Sequence, residues 1–334
     1  MVKLQITIYK KESDKIMNMY QKRKARQEKR ENNSGEKSCL STPISWFPGH
    51  MAKTRRQITE DLKLVDVIVE ILDARIPISS QNPDIKEITK NKKKMVVLNK
   101  CDLSDEKDNN KWVEYFIKQG NKAVLVNSST GKGVDEVIRQ IQKIMQEENQ
   151  AYAEKGRIGR KIRVMIVGIP NVGKSSFINR IAKKTSAEVG NRPGVTKRKQ
   201  WIHVNNEIEL MDTPGVLWPK FESEEVALNL AYTGTIKDDI LEITEVAYGL
   251  TKFLLENYKN SFIERYSFNE NTIDDILNQE QPENQNIYEI MQLIGRKRGA
   301  IISGGNIDDE KTAKIILEDF RSGKFGRITL EKVK

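Results

Sequence analysis

Residues 162–175 read IRVMIVGIPNVGKS, and this stretch predicts the class of fold. Its first part, Ile162–Val167, is a short apolar run rich in β-branched residues, which predicts a buried parallel strand. Gly168–Ser175 then fit the pattern G-x-x-x-x-G-K-S, and Ser176–Ile181 continue with helix-compatible spacing. The pattern alone occurs by chance, but a strand before it and a helix after it predict a phosphate-binding P-loop.

The residue types of this loop suit the phosphates of a nucleotide. Glycines allow backbone N–H groups to curl around phosphate oxygens, and the start of the following helix adds its positive end. Lys174 would neutralise the β and γ phosphates, and the Ser175 hydroxyl would ligate Mg²⁺. The other predicted nucleotide contacts in this loop are Gly168, Asn171, Val172, Gly173 and Ser176.

A second motif, Asp212-Thr213-Pro214-Gly215, follows the predicted strand Glu207–Met211. A carboxylate at a strand end suits Mg²⁺, bound either directly or through a water molecule. Gly215 would donate its N–H to the γ-phosphate. The alternative is an ordinary turn, since Asp and Pro-Gly favour turns.

A third motif, Asn99-Lys100-Cys101-Asp102, follows the predicted strand Met95–Leu98 and fits N-K-x-D. The Asp102 carboxylate would accept hydrogen bonds from N1–H and N2–H₂ of guanine, a donor pair that adenine lacks. Asn99 would face the other edge of the base, and the Lys100 stem would cover its face. Asn127, Ser128 and Ser129 would form a loop whose backbone supports the guanine O6. Together with the P-loop, this motif predicts GTP and GDP as ligands.

The order of these motifs predicts a circular permutation. In Ras-like GTPases the P-loop precedes N-K-x-D, whereas here Asn99–Asp102 precede Gly168–Ser175. The same sheet can be assembled if the original chain ends are joined, because domain ends are often close together. The polar stretch Glu147–Lys161 is the predicted joint.

Alternating apolar runs and helical patterns predict an α/β fold with a parallel-rich sheet and helices on both faces. After about Phe221 the strand pattern stops and helical spacing continues. We therefore predict a basic, flexible or helical extension over residues 1–44, a permuted GTPase domain over 45–220 and a helical RNA- or ribosome-binding domain over 221–334. The remaining predicted strands are Asp66–Leu72, Ala123–Val126 and Trp201–Val204.

Composition excludes several classes of protein. No apolar run approaches the roughly 18 residues that a membrane span needs, and the two cysteines cannot build a disulfide framework. The chain carries a net charge of +10, and its basic surplus lies in residues 1–220. These features predict a cytoplasmic protein. The basic surplus is compatible with a polyanionic partner, although many soluble proteins are basic without one. A mitochondrial address in the extension is an alternative that its acidic residues disfavour.

The complete set of motifs resembles the ribosome biogenesis GTPase A (YlqF) family of circularly permuted GTPases, bacterial large-subunit assembly factors of the TRAFAC class. The resemblance spans roughly Ser45–Val333, and residues 1–44 fall outside it. Besides the permuted order and the P-loop, it rests on Trp46–Met51, Arg192–Lys197, Lys297–Gly299 and Ser303–Gly305.

The resemblance implies further roles. Thr196 matches a switch threonine that contacts Mg²⁺ and the γ-phosphate, and Asn171 matches an asparagine that helps to hold K⁺. Val216 stands where Ras-like enzymes have a catalytic glutamine, so His50 becomes the candidate that orients water. Because positioning dominates phosphoryl transfer, a residue that only orients water would suffice. A purely structural role for His50 remains the alternative.

The implied function is GTP-dependent assembly of the large (50S) ribosomal subunit. The GTP form of a monomer, without membrane contact, would bind the precursor particle and its rRNA, and stimulated hydrolysis would release it. The alternatives are a protein-binding signalling switch without RNA contact and a GTPase without an assembly role. Basic clusters offered for RNA contact, each also consistent with a solvated face, are Lys53–Arg56, Lys197–Lys199, Arg296–Arg298 and Arg321–Arg327.

Overall fold

The computed structural model describes residues 48–155, 159–184, 201–218, 221, 223–280 and 283–333, with the side chains of residues 48–52, 184, 283 and 284 outside that description. The described residues belong to one compact unit, Thr42–Lys334. The predicted extension over residues 1–44 lies outside the described residues, so its character stays a prediction. No described helix is long and apolar enough to cross a membrane.

Six strands of the described residues form one mixed sheet. They are β1 (Val67–Asp73), β2 (Lys93–Asn99), β3 (Lys122–Val126), β4 (Ile162–Val167), β5 (Trp201–His203) and β6 (Ile208–Asp212). Their spatial order is β3-β2-β1-β4-β6-β5, and only β5 runs antiparallel to its neighbour. β1 is central, because Val67 pairs with Lys93 on one side and with Val164 on the other.

The strands lie where the sequence has short β-branched runs. Every residue of β1 is buried, as expected for a parallel sheet covered on both faces. All six predicted strands are confirmed, and their ends differ from the prediction by no more than two residues. β2 and β4, which lead into the N-K-x-D loop and the P-loop, flank β1, so the permuted arrangement is confirmed.

Helices cover the sheet and make up the region after it. The α-helices of the described residues are α1 (Pro48–Asp61), α2 (Pro83–Ile88), α3 (Glu106–Lys118), α4 (Val134–Glu154), α5 (Lys174–Lys184), α6 (Glu224–Tyr232), α7 (Ile243–Asn257), α8 (Lys259–Tyr266), α9 (Glu270–Leu277), α10 (Glu283–Lys297) and α11 (Asp309–Arg321). Capping side chains fix some of the starts: Asn82 accepts from N–H groups of α2, and Asp105 accepts from those of α3.

The joint between the two halves of the permuted chain is shorter than the sequence predicted. The prediction placed it over Glu147–Lys161, but α4 continues to Glu154. No glycine or proline interrupts the chain between Val134 and Glu154, so nothing in the sequence ends the helix earlier. The first half of the predicted joint is therefore helix.

The hydrophobic core is continuous from the sheet into the helical region. One cluster joins Val69 and Ile166 of the sheet to Leu230 and Leu250 of the helices. The boundary predicted near residue 220 therefore marks a change from sheet to helices, with packing that continues across it. The assignment of separate functional domains to the two parts stays a prediction.

Candidate nucleotide site

The P-loop meets the loop Asn99–Asp102 at the carboxyl edge of the sheet, and we call the latter the base-reading loop after its predicted role. Asn99 joins them, because its Nδ2 donates to the carbonyl oxygen of Val172 over 2.7 Å. Its Oδ1 accepts from the backbone N–H and the hydroxyl of Ser128, at 3.1 and 2.7 Å. Asn99 is only 2% exposed. It is therefore a bridge between three loops, and one N–H of its amide remains for the predicted contact with the base.

The backbone of the P-loop is shaped to receive an anion. Asn171 and Gly173 both have positive φ, at 61° and 95°. A Cβ on Gly173 would lie 2.3 Å from Nδ2 of Asn99, so only glycine allows these two loops to approach each other. The N–H groups of residues 171–173 donate to no other described residue. They are thus available to phosphate oxygens.

Lys174 is the buried cation of the loop. It is 8% exposed, and its ammonium donates to the carbonyl oxygens of Gly168 and Ile169 at 3.0 and 2.8 Å. Burial lowers its pKa to about 8, and the nearby Asp212 carboxylate opposes that shift. A polyphosphate beside Lys174 would restore the charge that burial disfavours.

Oxygen ligands suited to Mg²⁺ lie next to this lysine. Asp212 ends β6, whose neighbour β4 leads directly into the P-loop, and Ser175 is exposed at the start of α5. Partial removal from water raises the pKa of Asp212, while Lys174 opposes the change. Among the described residues, no group of three or more His, Cys, Asp or Glu side chains could hold a metal ion. The Ser175 hydroxyl and the Asp212 carboxylate are oxygen donors, and such donors fit a Mg²⁺ ion whose other ligands would come from a nucleotide's phosphates.

The segment after Asp212 packs tightly against the P-loop. A Cβ on Gly215 would lie 2.8 Å from Nζ of Lys174 and 2.9 Å from N of Pro170, so glycine is required by close approach. The next residue, Val216, is 8% exposed, and its carbonyl oxygen accepts from Nδ2 of Asn82 at 2.8 Å. A buried valine cannot orient a water molecule.

The base-reading loop rests on a buried ion network that the sequence analysis missed. Lys100 donates to Asp73 over 2.8 Å, and Arg75 donates to both carboxylate oxygens of Asp73 at 3.0 and 2.8 Å. Burial alone would raise the pKa of Asp73, but Arg75 and Lys100 hold it well below its ordinary value. An Asp directly at a strand end, two residues from an Arg, was the signal available in the sequence.

Asp102 lies on the surface of this loop. It is exposed and has no hydrogen bond or ion pair with any described residue. A turn fixes its backbone: the N–H of Leu103 donates to the carbonyl oxygen of Lys100 over 2.9 Å, and Lys100 has a φ of 60°. The carboxylate is thus presented on a rigid turn.

The loop after β3 is held by asparagine side chains. Oδ1 of Asn127 accepts from the N–H groups of Ser129 and Thr130, at 2.9 and 3.0 Å. The N–H of Ser128 is engaged by Asn99. A hydrogen bond from one of these N–H groups to guanine O6 would be shared with the asparagine that the group already contacts. The contact with guanine stays a prediction.

Two residues implied by the resemblance are not placed. Thr196 lies outside the described residues, together with the rest of Arg192–Lys197. His50 lies in the first turn of α1, and its side chain is outside the description. The roles of both therefore stay predictions. Further along α1, Ile58 packs in one cluster with Val216, so this helix contacts the segment that follows Asp212.

Most of the basic residues proposed for RNA contact are engaged within the protein. Arg321 pairs with Asp238 at 2.7 Å, and Arg327 pairs with Glu106 at 2.9 Å. Nζ of Lys324 and the guanidinium of Arg298 lie 3.1 and 4.0 Å from the Asp319 carboxylate. Intramolecular pairing explains their presence in an acidic region without reference to RNA. Lys197–Lys199 lie outside the described residues.

The P-loop on β4, the base-reading loop on β2 and the permuted strand order define the class: a circularly permuted P-loop GTPase. The family model MMR_HSR1, a 50S ribosome-binding GTPase, matches residues 163–287. That match begins at the P-loop strand, as expected when the family's usual starting strand lies in the middle of the chain.

The chain belongs to the ribosome biogenesis GTPase A family. It is 46% identical to ribosome biogenesis GTPase A of Bacillus cereus over 86% of this chain and 93% of that protein. The corresponding protein of Bacillus pumilus is 48% identical over 86% and 98%. The crystal structure of GNP-bound YlqF from T. maritima matches with a TM-score of 0.57 and 28% identity, over 84% and 98%. The chain is therefore an enzyme that binds guanine nucleotides and hydrolyses GTP.

Proposed function

We propose that this GTPase is an assembly factor for the large ribosomal subunit. Its GTP-bound form binds a precursor particle and rRNA, and particle-stimulated hydrolysis to GDP and phosphate releases it. The observation that carries the proposal is family membership over 86% of the chain, with relatives named for ribosome biogenesis. The family model described as 50S ribosome-binding supports the choice of the large subunit.

The nucleotide contacts follow from the loops at the sheet edge. Asp102 selects guanine, and the backbone of residues 171–173 and the Lys174 ammonium hold the phosphates. Lys174 already lies in a buried position that lowers its pKa, so a phosphate partner favours its charged form. Ser175, Asp212 and Thr196 hold Mg²⁺, which neutralises phosphate charge. Because phosphoryl transfer depends on positioning and charge, these contacts supply most of what the reaction needs.

Water is oriented by His50 in this proposal. The supporting observation is the burial of Val216, which leaves the position after Gly215 without a polar side chain at the site. His50 lies in the first turn of α1, the helix whose Ile58 packs in one cluster with Val216. An imidazole there needs only to hold the attacking water in line with the γ-phosphate.

Asn171 is proposed to hold K⁺ beside the phosphates. Its Nδ2 donates to the carbonyl oxygen of Gly234 over 2.6 Å. The same hydrogen bond fixes the amide and leaves Oδ1 without a partner among the described residues, and a carbonyl oxygen is a suitable ligand for a hard cation.

Co-sedimentation with ribosomal particles tests the function. The full chain is centrifuged with large-subunit precursors, mature large subunits and small subunits, each with GDP or a non-hydrolysable GTP analogue. We expect binding to the large-subunit particles that the analogue strengthens. Lys314→Ala on α11 is the control for a change of surface charge, because Lys314 pairs with Glu310 of the same helix and not with the nucleotide site. Equal binding to all particles with either nucleotide would contradict the proposal, and binding to none of them would favour a switch that acts on a protein partner.

A further inference from the structure

The segment that follows α11 packs across the base-reading loop. We call residues 323–332 the strap. A Cβ on Gly323 would lie 2.6 Å from a terminal methyl of Leu103, which shows how closely the strap approaches the loop. The N–H of Ile328 donates to the carbonyl oxygen of Leu103 over 2.9 Å. The N–H of Asp105 donates to Oγ1 of Thr329, also over 2.9 Å. The strap therefore holds the backbone immediately after Asp102.

The far end of the strap is anchored independently. Glu331 is 9% exposed, and its carboxylate accepts from the N–H groups of Ile78 and Ser79 at 2.6 and 2.8 Å. Its carbonyl oxygen accepts from Nε1 of Trp112 at 3.2 Å. Because these partners lie after β1 and on α3, the strap is fixed on both sides of the loop that it touches.

A second connection reaches the same loop from its other end. The guanidinium of Arg75 lies over the ring of Phe320, 5.2 Å from its centroid. Arg75 holds Asp73, and Asp73 accepts from Lys100, the residue that opens the turn. Thus α11 and the strap together contact the structures that fix the turn before and after Asp102.

The exposed Asp102 carboxylate has no side-chain support of its own among the described residues. Its position depends on the Lys100–Leu103 turn, and that turn depends on groups contributed from more than two hundred positions later in the chain, as the separation of 224 between Asp105 and Thr329 shows. A hydrogen bond that reads a base loses strength steeply when its geometry departs from linear. Small movements of the turn therefore change base recognition.

We propose that the strap is a positioning element for guanine recognition, with Thr329 as its central residue. It holds the Asp102 turn in the geometry that binds N1–H and N2–H₂ of the base, and so sets the selectivity for guanine and the rate of nucleotide release. This inference rests on the proposed reading of guanine by Asp102. It adds a role for the segment after α11 that requires no ribosomal particle.

The test compares GDP with inosine diphosphate, which lacks the 2-amino group. Dissociation constants for both are measured by calorimetry with the full chain. Thr329→Val removes the acceptor of Asp105 N–H and keeps the β-branched shape, whereas Thr329→Ser keeps the hydroxyl. Ser322→Ala is the matched control, since Ser322 donates within α11 to Glu318 and does not touch the loop.

We expect the ratio of the inosine to the guanine dissociation constant to fall about threefold or more in Thr329→Val, the effect of weakening one hydrogen bond. Thr329→Ser and Ser322→Ala should keep the wild-type ratio. Equal weakening of both nucleotides by Thr329→Val would mean general loss of stability and would overturn the proposal. Asp102→Asn tests the underlying assumption separately. If this variant leaves the ratio unchanged, Asp102 does not recognise guanine.

Discussion

The P-loop residue Asn171 donates a hydrogen bond of 2.6 Å to the carbonyl oxygen of Gly234, in the turn that follows α6. Arg321 of α11 holds the same turn, because its guanidinium donates to the carbonyl oxygens of Ala231 and Tyr232. A P-loop side chain is thus joined to the helical region by a short chain of contacts. If Asn171 lies beside the phosphates, as proposed, this chain of contacts links the nucleotide to the helical region.

This connection predicts coupling between nucleotide and ribosomal particle. Arg321→Lys replaces a planar, bidentate group by a point charge and should loosen the 231–234 turn. We expect the ratio of particle affinities with GTP analogue and with GDP to shrink about fivefold, the lower range of typical coupling. Fluorescence titration of labelled particles measures both affinities. An unchanged ratio in Arg321→Lys, with Lys314→Ala as control, would show that coupling runs elsewhere.

Base preference should change with Asp102. Asp102→Asn replaces two acceptors by one acceptor and one donor, a pattern that suits xanthine. We expect GDP affinity to fall by at least about tenfold, because a hydrogen bond to a charged group is lost, and xanthosine diphosphate affinity to rise. Competition binding with both nucleotides measures this. Wild-type protein that binds ADP as tightly as GDP would rule out the assignment.

Phosphate and Mg²⁺ contacts should be essential to hydrolysis. Lys174→Ala removes the buried ammonium, and Ser175→Ala removes a metal-binding hydroxyl. Each should lower single-turnover GTP hydrolysis by about a hundredfold or more, as loss of one transition-state contact does. Asn179→Ala is the control, because Asn179 is exposed on the same helix and is not among the predicted nucleotide contacts, so no loss is expected. Activity retained in both main variants would place the chemistry outside the P-loop.

The pH dependence of GDP binding should report Lys174. Its pKa is lowered to about 8 by burial, and bound phosphates favour the charged form. Below pH 8 the ammonium is already present, so this group contributes no pH dependence there. Above pH 8 binding must take up a proton, and affinity therefore falls as pH rises. Calorimetry at pH 7 and 8.5, in buffers of different ionisation enthalpy, should show proton uptake only at the higher pH.

His50 should matter to turnover and little to binding. His50→Ala removes a group whose proposed role exists only in the transition state, so kcat falls while nucleotide affinity stays within about twofold. The measurement is single-turnover hydrolysis with and without ribosomal particles, beside nucleotide titration. His203→Ala is a matched control, since His203 is exposed on β5 and pairs with Glu209. Unchanged stimulated turnover in His50→Ala would remove this residue from the mechanism.

Patterns among neighbouring residues predicted the strands and the P-loop, because the formation of these elements depends mainly on the residues within them. The strands from Val67 to Asp212 follow from β-branched runs, and the P-loop follows from its own pattern and flanks. Helix α2 could have been found, because Asn82-Pro83 combines a capping residue with proline in the first turn. The extent of α4 was missed because polarity was taken for a joint.

Long-range contacts were beyond the reach of such patterns. Nothing near Arg75 in the sequence shows that its guanidinium is buried against Phe320, because the partner lies far along the chain. The same holds for Asp105 and Thr329. Basic residues such as Arg327 have the same composition whether they bind RNA or an internal carboxylate, and only the fold distinguishes the two. Polar partners across the core are therefore the part that sequence reasoning could not supply.

The central place of β1 has a consequence for synthesis of the protein. Translation makes β1, β2 and β3 before β4, so the growing chain first holds half of the sheet, in which β1 is an edge strand with one open side. Its unpaired N–H and C=O groups attract any other strand until Ile162–Val167 emerge. Helix α4, with 21 residues, is synthesised during that interval and so lengthens the time before β4 can pair with β1. In the permuted order, the nascent chain therefore passes through a period in which the open edge of β1 must be kept from pairing with other strands.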